Sequence, residues 1–323
     1  MAATTVTGGD AAPPVRARGG LRRMWGPVSQ AKGMQRTMLL VGFALTIAFV
    51  FLAIFGKVLA PYSFDTYKDA AGEFPHQGHP TARNHWGTTV QGLDVMSRTI
   101  LGARTALEVM LLAVIVSLVI GVPLGIVSGY IGGPVDRFMV LVADAMFAFP
   151  PLLLAIVAAF LLADSFGSGI VVAAIAITVV YIPQYFRVVR ASTLSAREAT
   201  YIEAARAMGA KPRTIVRKYL LANVIQSVPV VATLNAADAI LTLAGLGFLG
   251  YGIQPDEAAE WGYDLQRAIA DAGAGIWWTA LFPGLAIVLA VLALTLVGEG
   301  LNDVLNPTLR RRRFKPPTIK ARP

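Results

Sequence analysis

The chain has 323 residues, of which 55% are hydrophobic and only 15% are charged. Average soluble domains carry about 25% charged residues, so the composition excludes an ordinary water-soluble globule. The sequence contains no cysteine, which excludes thiolate nucleophiles, thiolate metal sites and disulfides. We therefore expect an integral membrane protein.

Six stretches are long and apolar enough to cross a membrane as helices, which takes about 20 mostly apolar residues each. They predict an all-α polytopic fold, a six-helix transmembrane bundle occupying residues 37–306. A basic leader at 1–36, expected to be flexible, and a basic tail at 307–323 flank it. The predicted spans are at about 37–56, 107–127, 138–162, 167–187, 224–250 and 275–298.

The positions of the basic residues predict the orientation of these spans. Of the 28 Lys and Arg residues, 22 lie in the leader, the second loop, the fourth loop and the tail, which share one side. Because cytoplasmic loops are enriched in Lys and Arg, both termini are expected in the cytoplasm. Topology thus explains the net charge of +9, and no nucleic-acid partner is expected. The segment 60–104 and the acidic loop 251–272 then face outward.

The cytoplasmic loop at residues 190–223 carries signals for helix starts and stops. Gly209 stands where a left-handed helix end is favoured, and Pro212 can open a following helix. A helix, a sharp turn and a second helix are therefore predicted. Two capping boxes of the form S/T-x-x-E precede the turn: Ser195 with Glu198, and Thr200 with Glu203. From these residues alone, Glu203 either only completes a capping box or belongs to a docking surface for a partner.

The motif E-A-A-x-x-x-G occurs in this loop at Glu203, Ala204, Ala205 and Gly209. It resembles the EAA loop of ABC importer permeases, in which this loop forms a coupling helix that docks onto a cytoplasmic ATPase subunit. The family pattern continues with I-x-L-P, of which only Leu221 is matched here. The resemblance implies that the coupling residues are Glu203, Ala204, Ala205, Arg206, Gly209, Lys211 and Arg213.

Other segments are similar to the dipeptide, oligopeptide and nickel permeases of the same family. HWGTTVQGLDVMSRTILGAR at 85–104 resembles their H-x-L-G-T-D-x-x-G-R-D-V-x-S-R-x-x-x-G-A-R segment, and FLGYGIQP at 248–255 resembles F-L-G-x-G-x-Q-P. Leu243 and Gly247 stand where a glutamate and a serine are common. The resemblance covers about residues 37–307.

This resemblance implies an importer permease that works by alternating access. Its partners would be a second homologous permease, two ATP-binding-cassette ATPase domains, an extracytoplasmic solute-binding protein that delivers di- or oligopeptides, and membrane lipid. The chain itself is expected to be no enzyme and to bind no cofactor, because it has no G-x-x-x-x-G-K-[ST] phosphate loop. ATP and Mg would belong to the ATPase partners.

Asp144 and Asp238 lie within predicted spans, where a charge costs about 2.5–3.5 kcal/mol on insertion scales. Either they line a translocation path, where they could meet the amino terminus of a peptide, or they form hydrogen bonds within the bundle. The first alternative also allows an ion-gradient-driven secondary transporter or channel that uses both aspartates as cation sites. A membrane scaffold without transport of its own is a third possibility.

Three histidines, His76, His79 and His85, lie close together in the outer segment. The surrounding sequence is rich in Gly and Pro, which is typical of a loop, and histidines in loops are mostly solvated. We therefore expect no metal site there.

Overall fold

The computed structural model describes residues 34–166, 169–225 and 228–305. Most of the predicted leader and all of the predicted tail lie outside these ranges. The helices of the described residues are α1 (Met34–Leu59), α2 (Val95–Ile131), α3 (Gly133–Phe147), α4 (Pro151–Phe166), α5 (Ile170–Arg197), α6 (Thr200–Ala207), α7 (Pro212–Thr214), a π-helix (Ile215–Leu220), α8 (Leu221–Val224), α9 (Val228–Phe248), α10 (Trp261–Gly273) and α11 (Trp278–Leu305). The two strands there, β1 (Lys68–Asp69) and β2 (Gly72–Glu73), form one antiparallel hairpin.

Five of the described helices are long and apolar enough to span a membrane, namely α1, α2, α5, α9 and α11. The pair α3 and α4 meets the same criteria jointly but is bent by 97°. Counting this pair as one span gives six in the described part of the chain. The predicted all-α polytopic fold is confirmed, with one span in two pieces.

The bend lies inside the segment 138–162, where the sequence predicts one continuous helix. α3 ends at Phe147 and α4 begins at Pro151. Pro150 and Pro151 lack the N–H groups that a continuing helix needs, and proline disfavours helical backbone in the residue before it. The two adjacent prolines therefore end one helix and open the next in a new direction.

The centre of the bundle is the contact between α2 and α5, the most extensive helix pair of the described residues. Gly121, Gly125 and Gly129 recur every fourth residue along α2 and face α5. A Cβ atom at Gly125 would lie 2.8 Å from both the Phe186 carbonyl oxygen and the Val189 Cβ. Small residues at this spacing let transmembrane helices approach closely, so the two helices pack backbone against backbone.

Residues 60–94, which we call the connecting segment, pack against the start of α11. Trp86 stacks on Phe282 with ring centroids 4.2 Å apart and planes 9° apart. The Trp278 indole N–H donates to the Thr88 carbonyl oxygen at 3.4 Å. At the end of the segment, Asp94 caps α2 by accepting from the Ser97 backbone N–H at 2.8 Å. The segment is thus fixed to two helices of the bundle.

A buried ionic cluster joins α2 to α10. Arg98 is 1% exposed, and its Nε donates to Asp264 Oδ1 at 2.8 Å. Glu260, also buried, caps α10 by accepting from the backbone N–H groups of Gly262 and Tyr263, each at 2.7 Å. Burial raises the pKa of Glu260 to about 8, although the two backbone donors lower it. A Cβ atom at Gly247 would overlap this carboxyl group, so this packing requires a glycine there.

Candidate functional site

The turn that follows α6 has the hydrogen bonds of a Schellman motif. The Ala210 N–H donates to the Ala205 carbonyl oxygen at 3.0 Å, and the Gly209 N–H donates to that of Arg206 at 2.9 Å. Gly209 has φ +78°, a left-handed conformation that glycine adopts without steric cost. Pro212 then opens α7. The predicted helix, turn and helix are confirmed, and we call Thr200–Leu220 the coupling unit.

A small apolar core holds the coupling unit against the end of α5. It consists of Ala196 from α5, Ile202 from α6, and Ile215 and Leu220 from the π-helix, all buried. Tyr130 near the end of α2 packs against this core. The unit is therefore attached to both central helices and not suspended as a free loop.

The coupling unit has two arms: α6 before Gly209, and α7 with the π-helix after it. The π-helix determines which side chains of the second arm are buried. Leu221 N–H donates to the Val216 carbonyl oxygen five residues earlier. In an α-helix, residues five positions apart point about 140° apart, but the wider π turn brings Ile215 and Leu220 into the same core. Single π turns occur frequently at functional sites, and this one sets the direction of the second arm.

The outer face of the coupling unit is exposed and combines charge with a small apolar tip. Met208 at the turn is 79% exposed, and exposed alanines flank it on the α6 side. Glu203 lies in the first turn of α6, where a carboxylate is favoured by the helix dipole. The exposed predicted coupling residues are Glu203, Ala204, Arg206, Gly209, Lys211 and Arg213.

One predicted coupling residue is buried, and one expectation for this loop is wrong. Ala205 is 1% exposed and packs inward, because its position on α6 lies on the same side as Ile202, so it is not part of the exposed face. The capping boxes are also absent: α6 has Ala199 at its N-cap with no side-chain cap, and Ser195 lies inside α5. Glu203 is therefore not held by a capping box, which removes the simpler of the two interpretations of that residue.

Asp144 forms an ion pair within the bundle. Arg187 Nη2 lies 2.6 Å from Asp144 Oδ1, and the two side chains are 49% and 55% exposed. The Arg187 guanidinium also lies over the Phe147 ring, 3.8 Å from its centroid. This pairing between α5 and α3 favours the hydrogen-bonded interpretation of Asp144.

Asp238 lies on α9 with an exposed side chain. The hydroxyl of Tyr181, a fully buried residue of α5, donates to Asp238 Oδ2 at 2.8 Å. The same hydroxyl lies 3.4 Å from Thr242 Oγ1. The structure therefore does not bring Asp144 and Asp238 to one site: the first is paired with an arginine, and the second is held by a tyrosine.

The histidines of the connecting segment make packing and backbone contacts. The His79 ring lies 4.8 Å from that of Trp278, and His76 Nδ1 lies 2.7 Å from the Val90 carbonyl oxygen. His85 is exposed. These contacts attach the connecting segment to α11 and shape its own fold.

Sequence reasoning missed three features of the site. Met208 could have been noticed as an apolar residue directly before a helix-ending glycine. The repeat of Gly121, Gly125 and Gly129 is visible as G-x-x-x-G. Tyr181 as the partner of Asp238 has no local signal, because the two residues come from helices separated by the whole coupling unit.

Comparison with known proteins identifies the family. Residues 121–311 match the family described as "Binding-protein-dependent transport system inner membrane component". The chain belongs to this family, the inner-membrane permease subunits of ABC importers, and the predicted family is confirmed. Membership implies, in general terms, a partner permease, ATPases and a binding protein.

Relatives of nearly the same length support this assignment. The chain is 36% identical to the glutathione transport system permease protein GsiD of Pectobacterium atrosepticum, over 80% of this chain and 83% of the relative. It is 37% identical to the dipeptide transport system permease protein DppC of Alkalihalophilus pseudofirmus, over 84% and 86%. A solved structure of the MetNI methionine ABC transporter in an inward-facing conformation aligns with TM-score 0.52 and 22% identity, covering 63% of this chain and 93% of that chain. This last likeness concerns the fold.

Proposed function

We propose that this chain forms, together with a second homologous permease, the path by which di- or oligopeptides enter the cell. A solute-binding protein delivers the peptide from outside, and two ATPase domains drive the cycle. The observation that carries the proposal is the coupling unit, a rigid turn with an exposed tip attached to the two central helices. The relatives named as glutathione and dipeptide permeases support peptides as substrates.

The coupling unit acts on the cytoplasmic side, with both termini also in the cytoplasm. The positive-inside distribution of Lys and Arg supports this orientation. ATP and Mg are bound by the ATPase partners, and this chain binds no cofactor and hydrolyses no ATP. Glu203, Ala204, Arg206, Gly209, Lys211 and Arg213 provide the surface on which an ATPase docks.

Transport by the reconstituted transporter tests this function. The chain is purified with its second permease, ATPases and binding protein, placed in proteoliposomes, and assayed with labelled dipeptide. We expect uptake that requires ATP inside the vesicle and persists when an uncoupler removes the proton gradient. Uptake that is independent of ATP and is abolished by the uncoupler would instead establish a gradient-driven transporter.

A matched pair of charge reversals tests the coupling surface. Glu203→Lys reverses a charge on the exposed face of α6, whereas Glu198→Lys reverses one at the end of α5, where the side chain is 76% exposed. A misplaced interface charge that costs 1.4 kcal/mol weakens binding about tenfold, so we expect Glu203→Lys to lose ATPase co-purification and uptake by about that factor. Equal behaviour of the two variants would contradict docking at α6.

A further inference from the structure

One face of α9 carries an exposed stripe at helical spacing. Its members recur at intervals of four and three residues, so they share one side of the helix. Four are exposed and Gly245 is half-buried. We call these residues the α9 stripe: Leu234, Asp238, Leu241, Gly245 and Phe248. Asp238 is its one charged member and lies in a helix that qualifies as a membrane span.

The carboxylate of Asp238 is held in place without being neutralised. Tyr181 donates to one of its oxygens from the buried side. Among the described residues, the acids that form ion pairs include Asp144 with Arg187 and Asp136 with Arg190. No ion pair of the described residues includes Asp238. An anchored carboxylate on an open face therefore remains available to a cation.

Two further polar side chains are buried next to this carboxylate. Tyr185 and Asn235 lie one turn from Tyr181 and Asp238 on the same two helices and are almost fully buried. The Tyr185 hydroxyl lies close enough to the Asn235 side chain to interact with it, although neither this hydroxyl nor Asn235 Nδ2 reaches a partner with good hydrogen-bond geometry. The contact between α5 and α9 beside Asp238 is therefore polar, unlike a surface suited to lipid.

Lipid is an unsuitable neighbour for the α9 stripe. Ionised side chains within spans face a bundle interior or a water-filled cavity, because hydrocarbon cannot solvate them. α1 offers a contrast: its exposed side chains include Ile47, Phe51 and Ile54, and its spanning window is only 11% buried. α1 therefore has the character of a lipid-facing helix, whereas α9 does not.

We propose that the α9 stripe lines the translocation path and that Asp238 binds the α-ammonium group of the transported peptide, with Tyr181 as the residue that positions its carboxylate. Charge complementarity carries the choice of ligand, since a peptide with a free amino terminus presents a cation. The identity of the peptide rests on the proposed function. The access of water and cations to Asp238 is independent of that proposed function.

Thiol chemistry tests access directly, because the chain has no cysteine. In the complete transporter, Leu241→Cys places one thiol about 6 Å from Asp238. The labelling rates with a trimethylammonium and with a sulfonate methanethiosulfonate are compared on this chain after the subunits are separated. A unit charge about 6 Å away in water changes the local concentration of a monovalent ion about threefold. Once each rate is divided by the rate of the same reagent with a free thiol, the cationic reagent should react about tenfold faster than the anionic one.

Two control variants make the comparison specific. In Leu241→Cys with Asp238→Asn, the preference for the cationic reagent should disappear, while the thiol still reacts. Ile47→Cys on α1 should react slowly with both reagents, as expected in lipid. A Leu241→Cys thiol that is as unreactive as the α1 control, or one without charge preference, overturns the proposal; the first result would place the α9 stripe in lipid or in a closed contact with the second permease.

Uptake and ATP hydrolysis test the ammonium site itself. In proteoliposomes containing the complete transporter, Asp238→Asn should lower peptide uptake about tenfold, whereas Asp238→Glu keeps most of it. Asp65→Asn, the same change at an exposed carboxylate outside the spans, serves as the control. ATP hydrolysis stimulated by the binding protein should persist in Asp238→Asn, because the coupling unit is unchanged. Wild-type uptake by the Asn variant overturns the ammonium site.

The two proposals fail in different ways. If the wild-type transporter moves no peptide, the proposal that peptides are the substrate is contradicted. The proposal that Asp238 binds a peptide ammonium group is then contradicted as well. The thiol rates still decide whether Asp238 faces an aqueous cation path. If wild-type uptake is normal and the Leu241→Cys thiol shows no charge preference, the function stands and the α9 stripe is not the path.

Discussion

The backbone conformation at position 209 requires a glycine, whereas the neighbouring atoms would leave room for a larger side chain. Its φ is +78°, and a Cβ atom there would meet no other atom within 4 Å. Side chains other than glycine pay for this conformation with local strain of about 1–2 kcal/mol, although asparagine tolerates it better. The sharp turn between the two arms thus depends on one residue.

Gly209→Ala should therefore loosen the turn, and Gly209→Asn should do so less. The strain corresponds to about 5- to 30-fold faster exchange of the Ala210 amide hydrogen, which bonds to Ala205. Hydrogen–deuterium exchange of the purified transporter measures it on a peptide containing Ala210. Identical exchange in both variants and wild type would show that the unit maintains its turn by other contacts.

Glu260 should make the stability of the protein depend on pH. Its pKa rises from an ordinary 4.5 to about 8 in the folded chain because the side chain is buried. The folded state then keeps a proton that the unfolded state releases, so the stabilisation present below about pH 4.5 is lost as the pH rises toward 8. The melting temperature of the detergent-purified protein should fall over this range.

The matched variants for this pH effect are Glu260→Gln and Glu73→Gln. Glutamine does not titrate, so the first variant should show a smaller fall in melting temperature between pH 5 and pH 8. Glu73 is exposed, and its replacement should leave the slope as in wild type. Parallel slopes in all three proteins would assign the pH dependence to other groups.

Residues with local signals were predictable from the sequence, and those with distant partners were not. Gly209 and Pro212 act within their own turn, so their roles follow from neighbouring residues. The burial of Ala205 could not be predicted, because it depends on packing within the coupling unit. Asp238 was recognised as unusual, but its tyrosine partner on α5 needed the fold.

At the scale of elements, the three glycines of α2 set the distance between the two central helices. Gly125→Ile would insert a branched side chain at a position where even an added Cβ atom would lie only 2.8 Å from the Phe186 carbonyl oxygen. Overpacking of this kind costs about 1–3 kcal/mol. We expect a lower melting temperature and lower yield of the purified chain.

Val119→Ile is the control for that substitution. It adds one methylene on the same helix at a side chain that is 67% exposed. The melting temperature should stay close to that of wild type. If Gly125→Ile is equally harmless, α2 and α5 can separate without loss, and close packing is not what holds them.

Hydropathy predicted the spans because it sums over many residues, and it missed the bend for the same reason. Pro150 and Pro151 barely change the average hydropathy of 138–162, yet they redirect the backbone by 97°. The start of α2 at Val95, twelve residues before the predicted span, depends instead on the polar cap from Asp94. Such boundaries follow from hydrogen bonds, to which a hydropathy window is insensitive.

At the scale of the molecule, replacing Trp86 tests whether the connecting segment is part of the folded bundle. Removing the stacked ring by Trp86→Ala loses burial together with about 0.5–1.5 kcal/mol of aromatic pairing with Phe282. Amide hydrogens of residues 60–94 should exchange faster, while those in the spanning part of α2 stay protected. Val90→Ala, at an exposed position, should leave both regions unchanged.

Unchanged exchange in Trp86→Ala would mean that other contacts suffice. The Trp278 hydrogen bond to Thr88 and the hydrogen bond from Gln77 to Asp271 attach the same segment to α11 and α10. The fold as a whole therefore spreads the attachment over several helices, which a prediction from single segments cannot reproduce.

α2 is long enough to act as a lever arm between the coupling unit and the connecting segment. Its 37 residues extend about 55 Å as a regular helix, with the Asp94 cap and the connecting segment at one end. Near the other end, the Arg206 guanidinium lies 5.9 Å from the Tyr130 ring centroid. Because α2 is packed against α5 along its glycines, a tilt of about 5° imposed at the coupling unit displaces the far end by about 5 Å over that length. A small tilt imposed at one end of α2 would thus become a sideways shift of several ångströms at the other end.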